Sequence, residues 1–220
     1  MDIQAVWLTL KLATVTTLLL LCVGIPLSHW FVFGKARWTT IVEAVATLPL
    51  LLPPTVLGFY LLVLLGPRTA AGRVLIQLIG HPVAFSFSGL VIGSMIYSLP
   101  FAVQPITSGF SAVTPEVLDA ASLLGAGRLR ILLTLLLPLA RRSIFTAAVL
   151  CFTHTVGEFG VVLMIGGDIP GATRTLSIAM YDQVQDFRYS EANLTAILLL
   201  TVSLLALILV HRWGRQERHA

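Results

Sequence analysis

The sequence contains little charge. Asp, Glu, Lys and Arg together make up 11% of its 220 residues, whereas they make up roughly a quarter of an ordinary soluble domain. Hydrophobic residues make up 57%, and the polar stretches between the apolar runs are only a few dozen residues long. These proportions exclude a water-soluble domain and indicate a chain that lies in a lipid bilayer.

Other missing features exclude further classes. The two cysteines, Cys22 and Cys151, have no CxxC or histidine partner spacing, so neither a disulfide framework nor a zinc site is indicated. The single Gly-Lys pair, Gly34 and Lys35, has no glycine five residues before it, so no phosphate-binding loop for ATP can form. The basic residues do not share a face with aromatic residues, which excludes a nucleic-acid surface. No internal repeat of the kind found in secondary transporters is present.

The chain does have long apolar runs. Each is close to the roughly 20 residues that a helix needs to cross the hydrocarbon core of a bilayer. We therefore predict an all-α fold: a single transmembrane domain over residues 1–220, built as a bundle of five spans. The predicted spans lie at about residues 6–27, 44–65, 85–106, 144–165 and 194–210.

Lysine and arginine are unevenly distributed between the loops, and in membrane proteins they favour the cytoplasmic side. Nine of them are cytoplasmic and four are external if the loops at 34–43 and 107–143 and the C-terminal tail lie inside. We therefore predict a multi-pass protein of the cell inner (plasma) membrane, with an external N-terminus and a cytoplasmic C-terminus. The nine residues are Lys35, Arg37, Arg128, Arg130, Arg141, Arg142, Arg212, Arg215 and Arg218.

Proline interrupts the second apolar run. Pro49, Pro53 and Pro54 each remove a helix hydrogen bond, so this helix should be kinked or broken. Irregular backbone at membrane depth is tolerated only against protein or a wet cavity. Pro53, Pro54 and Thr55 are therefore candidates for a translocation pathway, and a purely structural kink is the alternative.

The fourth apolar run contains an acid. Glu158 follows His154 by four residues, which places both on one face of a continuous helix. Acids inside membranes are usually functional, so we assign Gly157, Glu158, Phe159 and Gly160 to a pathway or gate. We expect the carboxylate to repel an anion, to accept hydrogen bonds from His154 or from neighbouring helices, and to fix a hinge at Gly157 and Gly160. Two such ligands are too few for a metal site, and no catalytic residue is assigned.

The polar loop at 107–143 is predicted to hold two short helices. Pro115 suits the first position of a helix, Glu116 suits its positive end, and Gly125 allows the chain to reverse after it. A second, basic amphipathic run begins at Arg128. The residue types alone are equally compatible with an interfacial loop whose arginines snorkel.

The second polar stretch, residues 166–193, offers one more helix. Leu176, Ala179, Met180 and Val184 recur at helical spacing. We predict an amphipathic helix that lies on the outer membrane interface.

The spacing within the 107–143 loop also matches a family signature. Residues 119–138, DAASLLGAGRLRILLTLLLP, place an acid, two alanines, three variable residues, a glycine, nine further residues and then aliphatic-x-aliphatic-proline. This pattern resembles the signature of binding-protein-dependent ABC importer permeases. GKARWTTIVEAVATLPLLLPPTVLGFYLL, HTVGEFG and IPGATRTLSIAMY are similar to stretches of the molybdate permeases, so the resemblance extends over nearly the whole chain.

This resemblance implies a type I ABC importer permease whose loop contains a coupling helix that docks in a groove on a cytoplasmic ATPase. The candidate coupling residues are Glu116, Asp119, Ala120, Ala121, Gly125 and Arg128. The chain itself would bind no cofactor, because ATP and Mg would be used by two partner ATPase subunits. A second permease chain would complete the pathway, most simply as a homodimer.

The resemblance also implies a cargo and a mechanism. An external or periplasmic binding protein would deliver an oxyanion, molybdate, which the permease would import by alternating access. A sulfate or tungstate permease is an alternative within the same class. An intramembrane enzyme that uses His154 and Glu158 is an alternative from a different class, and it would need no ATPase.

Overall fold

The computed structural model describes residues 2–34 and 36–215, where twelve α-helices and no strand are found. Lys35 and Arg218, which contributed to the charge asymmetry, lie outside the described residues. A 3-10 turn, Leu48–Leu50, follows α2, and a π-helical turn, Leu132–Leu136, joins α7 to α8. The helices are α1 Ile3–Phe33, α2 Thr39–Thr47, α3 Pro54–Leu64, α4 Ala70–Ile79, α5 Phe87–Ser111, α6 Pro115–Leu123, α7 Arg128–Ile131, α8 Leu137–Leu139, α9 Arg141–Gly157, α10 Gly160–Gly166, α11 Leu176–Gln185 and α12 Tyr189–Arg215.

The centre of the bundle is formed by α1, α5 and α9, which pack against one another. Leu20 of α1, Ala102 of α5 and Cys151 of α9 are fully buried in one cluster. Small residues bring these helices close together: a Cβ added at Gly24 would lie 3.2 Å from the Cβ of Ala102. Because lipid is as apolar as the core, close packing between small residues is a main source of helix association in a membrane.

All five predicted apolar runs form helices, and three of these are single helices long enough to cross a membrane: α1, α5 and α12. The second run is broken, as its prolines predicted. The segments Thr39–Leu50 and Pro54–Leu64 meet at an angle of 114°. Pro53 and Pro54 supply no amide hydrogen at the break, so the helix cannot continue through them.

The predicted fourth span, 144–165, is wrong as a single element. The helix α9 begins earlier, at Arg141, and meets the preceding segment Arg128–Leu139 at 73°. It then ends at Gly157, and α10 begins only at Gly160. A hydropathy pattern misses this second break because the break is only two residues long, Glu158 and Phe159.

Several other boundaries also differ from the predicted ones. The helices α1 and α12 extend beyond the apolar runs at both ends, and α5 takes residues 107–111 from the predicted loop. Pro100 and Pro105 lie inside α5 without ending it. Helices continue past the apolar runs because backbone hydrogen bonding does not require apolar side chains.

Besides the short helices of the 107–143 loop, two described helices lie outside the predicted spans. The helix α4 was not predicted; Thr69 caps it by accepting from the amide of Gly72, and Gly80 ends it with φ 84°. The helix α11 occurs where predicted, but Leu176, Ile178 and Ala179 are buried within the bundle. This face of α11 packs against α12, α1 and α9, so it contacts protein rather than lipid headgroups.

The long helix α1 separates two functional ends of the molecule. Near its C-terminus, Phe33 packs in a cluster with Leu118 of α6 and Phe110 of α5. Near its N-terminus, Ala5 packs with Leu176 and Ala179 of α11. With 31 residues at 1.5 Å each, α1 holds these ends about 45 Å apart.

Candidate functional site: a cavity between two broken helices

The break after α9 is built around Glu158. Its backbone is extended, with φ −67° and ψ 132°, so its carbonyl group has no partner within the helix. The hydroxyl of Ser177, on α11, donates to that carbonyl oxygen. A buried carbonyl needs a partner, and α11 provides one. Glu158 and His154 therefore do not share a helical face, contrary to the prediction.

The other break lies directly beside this one. Pro53 precedes the first residue of α3, Pro54, and α3 packs against α10. A Cβ added at Gly160 would lie 2.7 Å from the Cβ of Pro54, and one added at Gly58 would lie 2.7 Å from the Cβ of Met164. Glycine at both positions allows the two broken segments to lie in close contact.

A cavity of about 480 Å³ opens where these breaks meet. Such a volume lies within the range of small-molecule sites. Six of the seven residues predicted for the pathway line it, and Pro53 adjoins it in sequence. Tyr97, Thr153 and His154 complete the wall. Tyr97 and Thr153 carried no sequence signal, because nothing in the chain order places α5 beside this break. The lining residues are Pro54, Thr55, Tyr97, Thr153, His154, Gly157, Glu158, Phe159 and Gly160.

His154 is held in place on several sides. Its Nδ1 atom lies 2.8 Å from the hydroxyl oxygen of Ser98 on α5. Its ring stacks on Phe101 with 4.2 Å between centroids, and it lies 4.9 Å from the ring of Tyr97. The predicted hydrogen bond between His154 and Glu158 is absent from the described residues.

Glu158 lines the cavity, but its carboxyl group is buried. The residue is 4% exposed, and both side-chain oxygens are buried without a hydrogen-bond partner among the described residues. The Ser94 hydroxyl on α5 lies near the carboxyl group, but it too lacks a partner that meets hydrogen-bond geometry. In the described ranges, no three His, Cys, Asp or Glu side chains come together as a metal site would require.

The predicted coupling residues lie together at the C-terminal end of α1. The helix α6 buries none of its residues, and Glu116 lies in its first turn. Asp119 and Ala120 are exposed, and Ala121 is half-buried. At the end of the helix, Leu123 and Leu124 are 88% and 89% exposed. An apolar pair this open on an isolated helix end is typical of a surface that a partner covers.

A Schellman motif ends α6. The amide of Ala126 donates to the carbonyl of Ala121, and the amide of Gly125 donates to that of Ser122. Gly125 has φ 80°, a conformation that costs little only for glycine. Arg128 begins α7 and lines a second cavity, of about 410 Å³, between residues 118–136 and the C-terminal end of α1.

An ionic cluster lies at the opposite end, outside the spans. Arg174 donates to Asp168 through both Nε and Nη2 and lies 3.5 Å from Asp182. The hydrogen bond from Arg174 lowers the pKa of Asp168. Desolvation, followed by the neighbouring Asp168, raises the pKa of Asp182 to about 6. Arg174 is one of the four basic residues predicted to be external, and the fold brings its acidic partners to it.

Comparison with known proteins gives independent findings. The family model described as "binding-protein-dependent transport system inner membrane component" matches residues 20–215. The chain is 49% identical over 193 residues to the molybdenum transport system permease protein ModB of Azotobacter vinelandii, which covers 87% of this chain and 85% of that protein. It is 34% identical over 211 residues to the protein of the same name from Escherichia coli strain K12, covering 96% and 92%.

A solved structure shares the fold. It is a bacterial alginate ABC transporter in complex with an alginate pentasaccharide-bound periplasmic protein, and one of its chains matches with a TM-score of 0.77 at 18% identity. The match covers 97% of this chain and 78% of that chain. At 18% identity this match shows only that the two chains share an arrangement of helices.

Proposed function

The chain belongs to the family of inner membrane components of binding-protein-dependent transport systems, and from this premise we propose that its cargo is molybdate. The observation that carries the proposal is the 49% identity to a molybdenum permease over 87% of this chain. The chain is then the membrane-spanning subunit of an ABC importer, and a separate subunit hydrolyses ATP with Mg.

The pathway runs through the cavity between α3 and α10. Helices broken at membrane depth are tolerated where their backbone lines a cavity, and transporters place their sites at such breaks. Thr55, Tyr97, Thr153 and His154 supply neutral polar groups to the wall. The residues assigned to the pathway are Pro53, Pro54, Thr55, Gly157, Glu158, Phe159 and Gly160.

The coupling surface is α6 with the turn after it. It is unburied along its whole length, and it packs near the end of α1 through Leu118. Force on α6 would therefore reach α1 and α5 directly. The residues assigned to ATPase coupling are Glu116, Asp119, Ala120, Ala121, Gly125 and Arg128.

Orientation follows from the two ends of α1. The end that bears α6 also bears Arg128 and Arg130, and arginine favours the cytoplasm. The end that bears α11 then faces the periplasm, together with the N-terminus, and receives the binding protein. Because ABC ATPases work in pairs, two copies of this chain form the assembly, most simply with twofold symmetry.

Uptake by the reconstituted complex tests the cargo. Vesicles that contain the chain with its ATPase and binding protein should accumulate radiolabelled molybdate only when ATP is present on the ATPase side. Unlabelled tungstate and sulfate, added as competitors, distinguish the alternative cargoes. Import of sulfate with no import of molybdate would refute the molybdate assignment.

A matched pair of variants tests the coupling surface. Leu124→Glu places a charge on the apolar end of α6, so we expect its ATPase to stop co-purifying with the chain. Leu78→Glu is the control, because Leu78 is 77% exposed on α4, outside the proposed surface. Co-purification of the ATPase with Leu124→Glu at the wild-type level would overturn this assignment.

A further inference from the structure

A series of hydrogen bonds connects His154 to buried hydroxyl groups on α5 and α9. Ser98 Oγ lies 2.8 Å from His154 Nδ1 and 3.3 Å from Thr155 Oγ1. Ser98 is 0% exposed and Thr155 is 1% exposed. Neither hydroxyl can therefore turn to solvent, and both protons must find acceptors inside this group.

Only one order of donors and acceptors along these hydrogen bonds gives every hydroxyl proton an acceptor. If Thr155 donates to Ser98, then Ser98 donates to His154 Nδ1, and both hydroxyl protons are used. If the ring donates from Nδ1 to Ser98, Ser98 must donate to Thr155, and the buried proton of Thr155 has no acceptor within the described chain. A buried donor without an acceptor is destabilising, so the first direction is preferred. It makes Nδ1 an acceptor and puts the ring proton on Nε2.

The other ring nitrogen of His154, Nε2, is not engaged by the described residues. Nδ1 is occupied by Ser98, whereas Nε2 has no hydrogen bond from the residues that the structure describes. It is also not one of the shielded unpaired atoms, unlike the oxygens of Glu158. Since His154 lines the cavity and its ring is fixed by Phe101, its free N–H is an immobile donor at the pathway wall.

We propose that His154 Nε2–H is a binding group for the translocated oxyanion, and that Ser98 and Thr155 are positioning residues that fix its tautomer. The inference rests on the proposed function for the class of cargo. An oxyanion presents only acceptors, so a donor of fixed direction suits it. The donor is neutral, and cargo in transit must bind weakly enough to leave. The carboxyl oxygens of Glu158 are buried and make no hydrogen bond to His154, so they do not compete with the oxyanion for this donor.

Two substitutions at one position separate the donor from the rest of the ring. In His154→Gln the side-chain amide can reach the place of Nε2, whereas in His154→Asn it reaches only the place of Nδ1. We expect the molybdate uptake rate of the reconstituted complex to fall about 10-fold in His154→Asn, the usual effect of losing a hydrogen bond to a charged group. His154→Gln should retain most of the rate.

Complex assembly serves as the control, and both variants should co-purify with the ATPase as the wild type does. A purely structural role for the ring predicts equal loss in both variants, because neither restores stacking on Phe101 and Tyr97. Equal uptake by His154→Asn and the wild type, or equal loss in His154→Asn and His154→Gln, would overturn the proposal.

The tautomer of His154 can also be measured directly, without a transport assay. In ¹⁵N-histidine NMR of the labelled complex in lipid, the signal that disappears in His154→Gln should show a protonated Nε2. Thr155→Val removes the buried proton that directs the chain, so a share of the Nδ1-protonated form should appear. A wild-type ring protonated on Nδ1 would refute the inference.

These readouts keep the two proposals separate. If the wild-type complex imports sulfate and no molybdate, the cargo assignment fails. The contrast between His154→Asn and His154→Gln, measured on sulfate, would still decide the role of His154.

Discussion

Close contact between the two broken helices predicts a strong difference between two neighbouring glycines. In Gly160→Ala the new Cβ would lie 2.7 Å from the Cβ of Pro54. Nonbonded carbon atoms prefer 3.5–4.0 Å, so α3 and α10 must separate by about 1 Å. Pro54 cannot move aside by changing rotamer. Overpacking of this kind costs about 1–3 kcal/mol.

Gly157→Ala is the matched control. Gly157 lies three residues earlier, at the end of α9, and a Cβ there would meet nothing within 4 Å. Its backbone has no positive φ, so alanine is allowed. For a chain of this size, 1 kcal/mol corresponds to about 2–4 °C in Tm. Gly160→Ala should therefore unfold about 2–12 °C below the wild type in a detergent thermal-shift assay, and Gly157→Ala should not. Equal Tm values for the two variants would refute the close contact of α3 with α10.

Two further predictions concern the ends of the molecule. Asp182 has a pKa raised to about 6, so its contribution to stability is present below its ordinary pKa of 3.8 and is lost as pH rises through 6. When Tm is measured from pH 4.5 to 7.5, it should fall less for Asp182→Asn than for the wild type. Parallel Tm curves for the two proteins would contradict this prediction. Gly125→Ala places a Cβ at φ 80° in open space and should cost about 1 kcal/mol, seen as faster hydrogen exchange at the Gly125 and Ala126 amides. Gly127→Ala, at φ −70°, should leave these amides unchanged.

Much of the fold could be predicted from the sequence, because it depends on interactions between residues that are close together in the chain. Apolar runs of bilayer length predict helices wherever they occur, and all five formed. Pro53 and Pro54 predicted the break before α3 because proline has no amide hydrogen to donate. Gly125 predicted the end of α6 because the turn after it needs a left-handed residue. Each of these features is determined by residues that are neighbours in the chain.

The break at Glu158 was not readable in the same way. An acid is rare in an apolar run, so a hinge at Gly157 and Gly160 was expected within one helix, but not an end to that helix. The helix can end there because Ser177, nineteen residues away, donates to the buried carbonyl oxygen of Glu158. A partner at that separation leaves no local pattern in the sequence.

In the candidate site, too, some residues could be predicted from the sequence and others only from the folded structure. Composition and spacing identified six of the residues that line the cavity, because glycine, proline and a buried acid are each unusual within a span. Tyr97 and the Ser98 partner of His154 come from α5, more than fifty residues before that histidine. Which helix lies against which is decided by side-chain packing over the whole bundle, so only the folded chain could reveal that the histidine has a fixed proton and an open nitrogen.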